Sequence, residues 1–216
     1  MMEADVFGEL LELHPQKAAF WPKHKILMVA DLHLGKINHF RKAGIAVPTR
    51  ANDKNIEVLV DLFWKTKPER VLFLGDLFHS HYNPEWEVFG EVVKHFESIS
   101  FELVLGNHDI MSERQYERKG IRFYDELQIG PFLFTHHPVE KELTDLYNLA
   151  GHIHPGVRLV GKGKQQLRLP CFYFGKSSGL LPAFGMFTGL ASIKSQKDDK
   201  IFVVAENKIH LITDNY

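Results

Sequence analysis

Short apolar runs alternate with amphipathic stretches through the first two thirds of the chain, and each run ends on polar residues beside a turn. The runs "KILMVADLH" (25–33), "RVLFLGDLFH" (70–79), "FELVLGNHD" (101–109), "PFLFTHH" (131–137) and "YNLAGHIH" (147–154) are rich in Val, Ile, Leu and Phe. Short, apolar and bounded by Gly and polar residues, they predict buried strands. Between them, residues 53–65 place Ile56, Leu59, Val60, Phe63 and Trp64 on one helical stripe, and residues 84–98 begin with a proline suited to a first helical turn. Strand, helix, strand, helix, strand implies α/β units. After residue 156 the runs "VRLVG", "LRLPCFYFG", "LASIKSQ", "KIFVVAE" and "KIHLIT" read as strands of a second sheet, and the N-terminal "LLELHPQKAAFW" reads as a hairpin joining a sheet edge. No linker-like stretch separates the halves. The expectation is one domain over residues 1–216, with two sheets packed face to face and helices outside.

Composition narrows the choice. With 44% apolar residues the 216-residue chain can bury one good core, and a net charge of −1 carries no global sign of a nucleic-acid or membrane partner. Any polyanion must be held locally. The single cysteine, Cys171, excludes an internal disulfide framework and is read as a small buried hydrophobe. The opening "MMEADVFGEL" has neither the basic nor the apolar region of a secretory signal, and no run is long enough to span a bilayer. A cytoplasmic protein with no membrane partner is expected.

The polar residues fall where an open α/β sheet collects its chemistry, at the carboxyl ends of the strands. They are Asp31 and His33, Asp76, then Asn107, His108 and Asp109, then His136 and His137, and finally His152 and His154. Alternation along a strand puts Asp31 and His33 on one side, and likewise His152 and His154, so each pair could grip one cation. A lone histidine is ordinarily a solvated or hydrogen-bonded residue. Five strand ends with carboxylate, imidazole or amide groups make an expensive core, however, because buried unpaired groups cost several kcal/mol each. A metal would compensate. Oxygen and nitrogen donors without thiolate favour manganese, iron, zinc or cobalt over a structural zinc cage.

The blocks "DLH", "GDLFH", "GNHD", "THH" and "GHIH", in that order over residues 31–154, resemble the five blocks of the calcineurin-like metallophosphoesterases. That resemblance implies a four-layer αββα sandwich of two packed mixed sheets, with a dinuclear metal site at the strand carboxyl ends. It implies that Asp31, His33 and His154 hold one metal, that Asn107, His136 and His152 hold the other, and that Asp76 bridges them. His108 is then the acid or the group that steadies the phosphate, and Asp109 its orienting partner. The flanks "DLHLGKINHFRKAGIAVP" (31–48), "GHIHPGVRL" (151–159), "LRLPCFYF" (167–174) and "LPAFGMFTG" (181–189) are similar to the ligase-associated DNA-damage-response phosphoesterases. This closer resemblance implies a DNA nuclease in repair, with DNA, and a DNA ligase and helicase, as partners. His137 departs from it, standing where that subfamily has an acidic residue.

Two divalent cations ~4 Å apart polarise a phosphate ester and lower the pKa of a shared water, so that a metal-bridging hydroxide exists near neutral pH. Manganese leads as the cation, with iron, zinc and cobalt as alternatives. A protonated His108 could donate to the leaving oxygen, with Asp109 raising its pKa, whereas the plainer reading of Asp109 is a turn cap. Gly75, Gly106 and Gly151 are read as turn residues that permit close backbone approach. Lys36 and Arg41 are candidate phosphate contacts, and His79 and His81 carry no assignment. Trp21, Trp64 and Trp86 are assigned to the core, and "GKSSG" (175–179) to a surface turn. Against the leading reading, a metal-dependent phosphodiesterase on DNA, stand a phosphomonoesterase or cyclic-nucleotide phosphodiesterase and a non-catalytic scaffold. A long basic groove would favour polynucleotides, and a closed pocket small molecules.

Overall fold

Seven strands in chain order build the first sheet. In the computed structural model, residues 1–35, 50–78, 84–141, 143–160, 165–186 and 188–212 are described. Strands β1 (Met2–Val6), β2 (Glu9–His14), β3 (Ala18–Trp21) and β4 (Ile26–Val29) run antiparallel, each to the next. The predicted N-terminal hairpin therefore joins the sheet edge, extended by β1. From β4 onward the strands are parallel, through β5 (Arg70–Leu74) and β6 (Ser100–Val104) to β7 (Ile121–Tyr124). Parallel neighbours need crossovers, and α1 (Arg50–Thr66), α2 (Pro84–His95) and α3 (Glu113–Arg118) lie in them.

The second sheet is mixed and starts earlier than residue 156. It contains β8 (Leu127–Ile129), β9 (Phe132–Thr135), β10 (Tyr147–Ala150), β11 (Pro155–Val160), β12 (Gln166–Phe174), β13 (Ser178–Leu180), β14 (Ala191–Ser192), β15 (Lys200–Ala205) and β16 (Lys208–Ile212). Its order is β14-β11-β12-β13-β10-β9-β8, with β15 paired to β12 and β16. The runs ending at His137 and His154 thus belong to this sheet, while the first three belong to the other. A fully buried strand looks the same in sequence whichever sheet it joins.

Period-2 alternation sorts the side chains into layers. Val71 and Phe73 of β5 and Phe101 and Leu103 of β6 pack with Leu59, Phe63, Trp86, Phe89 and Tyr116 of the helices. The residues between them, Leu72, Leu74 and Val104, face Phe132, Phe134, Leu149, Phe172 and Phe202 of the second sheet. Each such buried side chain contributes about 1.5–3 kcal/mol, so the sandwich interior supplies much of the stability. The outer face of the second sheet carries a smaller cluster of Val157, Cys171, Ile201 and Val203, and all three described helices lie on the first sheet's side. Cys171 is fully buried, as read from sequence.

Of the tryptophans, Trp21 and Trp86 are in the core, but Trp64 is 62% exposed. The stripe of α1 centres on Ile56, Leu59, Leu62 and Phe63, which turns the next residue outward, where it meets the edge of Phe96, ring centroids 5.3 Å apart. Residues 175–179 form a turn closed by the Gly175 N–H donating to Ser178 O, as expected. At the carboxyl end of both sheets, residues 181–185 thread between them. Leu181 N–H donates to Ala150 O, Phe184 N–H to Ala30 O and Gly185 N–H to Asp31 O, so the segment ties β10 to β4 just where their polar residues begin.

Candidate metal centre

Each of the five strands stops before its polar block. The last strand residues are Val29, Leu74, Val104, Thr135 and Ala150. Asp31, His33, Asp76, His152 and His154 then adopt φ between 50° and 63°, the left-handed region that a residue with a Cβ rarely enters. Such strain costs on the order of 1–3 kcal/mol per residue and persists where the surroundings over-determine it. Here they do. Asp31 N–H donates to Gly75 O, His33 N–H to Asp76 O and Leu34 N–H to Leu77 O, so the loops after β4 and β5 hold each other. Gly75 has φ 78°, and a Cβ there would lie 2.1 Å from His136 Nδ1. A Cβ on Gly106 would lie 2.3 Å from Asp76 Oδ1, so both glycines let backbone approach the site.

Asp31 and His33 do share one group, as strand alternation implied, but the left-handed turns overturn the same expectation for His152 and His154. His154 converges with Asp31 and His33, whereas His152 converges with His136 and His137; a third group joins Asp31, Asp76 and His136. Within each group the donor atoms lie within 4.8 Å of one another. His152 and His154 therefore turn to different groups, the division that the resemblance implies. Ile153 N–H donates to Gly151 O at 2.7 Å, a tight turn between two left-handed residues that separates the two rings.

The centre is buried and braced from both sheets. Asp31 is 0% exposed and Asp76 2%. Both Asp31 oxygens accept the His152 N–H, at 3.2 and 3.0 Å, which locks the second sheet's loop onto the first sheet's carboxylate. Asp76 Oδ1 accepts the His108 N–H at 2.9 Å and lies 3.4 Å from His136 Nε2. His33 Nε2 is 3.8 Å from Asp76 Oδ2, and His154 Nε2 is 3.5 Å from Asp31 Oδ1. His108 is half-buried, its ring edge-on to His33 at 5.5 Å.

Asp109 Oδ1 accepts the Phe78 N–H at 3.1 Å and Oδ2 the Gly106 N–H at 2.9 Å, so its carboxylate joins the loops after β5 and β6. Burial pushes its pKa up to about 7, against those two amides, which favour the charged form. His152 is held below the usual imidazole value by burial and by the neighbouring His137 and His136.

The donor set fits divalent cations. Leu74 O lies 3.0 Å from His136 Nδ1 and accepts its N–H, leaving Nε2 with a lone pair. That atom is 3.1 Å from Asn107 Oδ1, also a lone-pair donor, and 3.1 Å from His152 Nδ1. The lone pairs of His136 Nε2 and Asn107 Oδ1, meeting beside two buried carboxylates, suit a divalent cation. Among the described residues, no lysine or arginine pairs with Asp31 or Asp76.

His137, without an assignment from sequence, is exposed, with its ring centroid 3.9 Å from that of His152 and 4.8 Å from that of His136. Its backbone carbonyl accepts the Thr135 hydroxyl, which in turn accepts from buried Asn148. Thr135 and Asn148 carried no signal in the sequence, since each sits inside an apolar run. Lys36, Arg41, His79 and His81 lie outside the described residues.

The family model described as calcineurin-like phosphoesterase matches residues 24–209. The chain is similar to the crystal structure of Pseudomonas putida nuclease MPE, with 27% identity, a TM-score of 0.79, and coverage of 98% of this chain and 99% of that one. Its likeness to Yfce, a phosphoesterase from E. coli, is weaker: 13% identity and a TM-score of 0.45 over 88% of this chain and 99% of that one. No curated protein matches. No helix among the described residues is long and apolar enough to cross a membrane.

Proposed function

Because the chain belongs to the calcineurin-like phosphoesterase family, and is thereby a metal-dependent hydrolytic phosphoesterase, we propose that it is a dinuclear phosphodiesterase that cleaves DNA. One observation carries the dinuclear reading: one group of donors gathers around His154 and another around His152, and a third, of Asp31, Asp76 and His136, joins them. Asp31, His33 and His154 would hold one cation, Asn107, His136 and His152 the other, and Asp76 would serve both through its two oxygens. His137 offers one further nitrogen to the second. When bound, two divalent cations supply Lewis-acid polarisation of the phosphate and activate water near neutral pH. Manganese suits a donor set of carboxylate, amide and imidazole, with iron, zinc or cobalt as alternatives.

The chain's own residues do the rest. His108, half-buried and anchored through its backbone to Asp76, would give a proton to the leaving oxygen. Asp109 holds the loop that carries Asn107 and His108 by its two backbone contacts. The left-handed turns keep the imidazoles at fixed positions before substrate arrives, which lowers the reorganisation needed for reaction.

DNA is the favoured substrate because of the full-length likeness to a nuclease. The resemblance to the ligase-associated phosphoesterases supports a repair role in the cytoplasm alongside a ligase and a helicase. The test is cleavage of end-labelled single- and double-stranded DNA by chelator-stripped protein with Mn²⁺ restored. Wild-type protein should cut and Asn107→Ala should not. Turnover confined to small phosphoesters would replace the nuclease reading with a phosphomonoesterase or cyclic-nucleotide phosphodiesterase.

A further inference from the structure

The near-neutral total charge conceals a strong asymmetry along the chain. Residues 146–197 contain seven lysines and arginines and no aspartate or glutamate, so the remainder of this −1 chain is acidic. That stretch contains the hairpin of β11 and β12, which begins immediately after His154. Arg158 and Arg168 are directly opposed across its ladder, and both are exposed. Val157, Leu159 and Leu169 pack on the outer apolar cluster, so alternation sends the two arginines to the other face of the ribbon. Exposed Lys194 follows β14, the parallel neighbour of β11.

Like charges directly opposite in an antiparallel pair are destabilising. The ribbon itself carries no carboxylate, and among the described residues neither arginine forms an ion pair. The arrangement makes physical sense when a polyanion lies across it. Four residues of extended chain separate His154 from Arg158, about 13 Å, or roughly four nucleotides along one strand of a duplex.

We infer that the β11–β12 ribbon, through Arg158 and Arg168, is a polynucleotide-binding surface that carries the phosphate backbone from solvent to the metal centre. The inference rests on the nuclease reading for its direction toward the centre. It accounts for how a chain without net positive charge holds DNA, by a local stripe beside the site, and it favours an extended substrate over a small phosphoester. Lysine or arginine contacts to phosphate add affinity with little regard to sequence, so the ribbon binds without reading bases.

The test is fluorescence anisotropy of a labelled 20-mer, single- and double-stranded, with chelator-stripped protein over a series of salt concentrations. Each lost phosphate contact should lower the slope of log affinity against log salt by about one. Arg158→Ala/Arg168→Ala should therefore lose about two from that slope and bind the duplex at least tenfold more weakly at low salt. Its melting temperature should hold or rise, because the opposed charges are gone. Lys208→Ala, on β16, removes one charge elsewhere and should leave the slope within a few tenths of wild type. An unchanged slope in the double variant overturns the inference, as does an equal loss in Lys208→Ala, which would make the effect one of net charge. Binding is read without metal or cleavage, so the two proposals fail separately. Protein that binds through the ribbon but never cuts refutes the nuclease, and protein that cuts with an unaltered slope refutes the ribbon.

Discussion

Two regions bury carboxylates in opposite ways. Glu102, on β6 and 1% exposed, is met by Arg70 and Arg122 and by the Ser100 hydroxyl. Asp31 and Asp76, at the strand ends and equally buried, meet only backbone N–H groups and imidazoles among the described residues. A buried charge without a partner costs several kcal/mol, so the fold supplies cations where the carboxylate is structural. Where no lysine or arginine is present among the described residues and imidazoles converge instead, a metal cation supplies the charge. His14 shows a third solution: it is 2% exposed, neither ring nitrogen has a hydrogen-bond partner among the described residues, and burial lowers its pKa to about 4. It stays neutral.

The sharpest way to break the comparison is Asp76→Asn. The amide keeps the acceptor for His108 N–H but removes the charge, so Mn²⁺ affinity should fall by more than about 100-fold, beyond what loss of an outer partner costs. Cleavage should go with it, and the melting temperature of metal-free protein should rise rather than fall. Calorimetric titration and thermal unfolding check the two halves.

His14 gives the next largest effect. Its folded pKa lies below its unfolded value of 6.5, so between pH 6.5 and 4 the unfolded state binds the extra proton and stability falls as pH falls. The loss should be on the order of 3 kcal/mol, fully recovered above pH 6.5, and His14→Leu should remove its share of that slope in denaturant titrations.

Metal linkage should be slightly smaller for each site taken singly. Mn²⁺ at a hundred times its dissociation constant should stabilise the protein by about 2.7 kcal/mol per site, measured against the chelator-treated protein. Glu102→Gln should show the smallest change. The neutral amide keeps part of the hydrogen bonding to arginines that are themselves partly exposed, so the loss should be about 1 kcal/mol, with Mn²⁺ affinity unchanged.

These differences also explain what could be read from the chain alone. The residues of the centre stood out because carboxylate, amide and imidazole at the ends of apolar runs are costly anywhere else. Strand alternation misplaced His152 beside His154, because left-handed turns at those two residues leave no trace in a hydrophobic pattern, whereas Asp31 and His33 share a group as it implied. The boundary of the second sheet was hidden for a related reason. β9 and β10 are buried along their whole length, as β4 is, and pairing partners are set by tertiary packing. Trp64 was counted in the stripe of Ile56, Leu59, Val60 and Phe63, although one step along a helix turns a side chain by about 100°. The ribbon of β11 and β12 escaped notice because net charge averages over a chain whose two signs are segregated.

The central claim is that Asp31 and Asp76 are completed by cations from solution. The most direct measurement is the number of Mn²⁺ ions bound per chain, by equilibrium dialysis of chelator-stripped protein with elemental analysis. The account predicts two in wild type and a clear deficit in Asp76→Asn. Folded wild-type protein that binds fewer than one would contradict it.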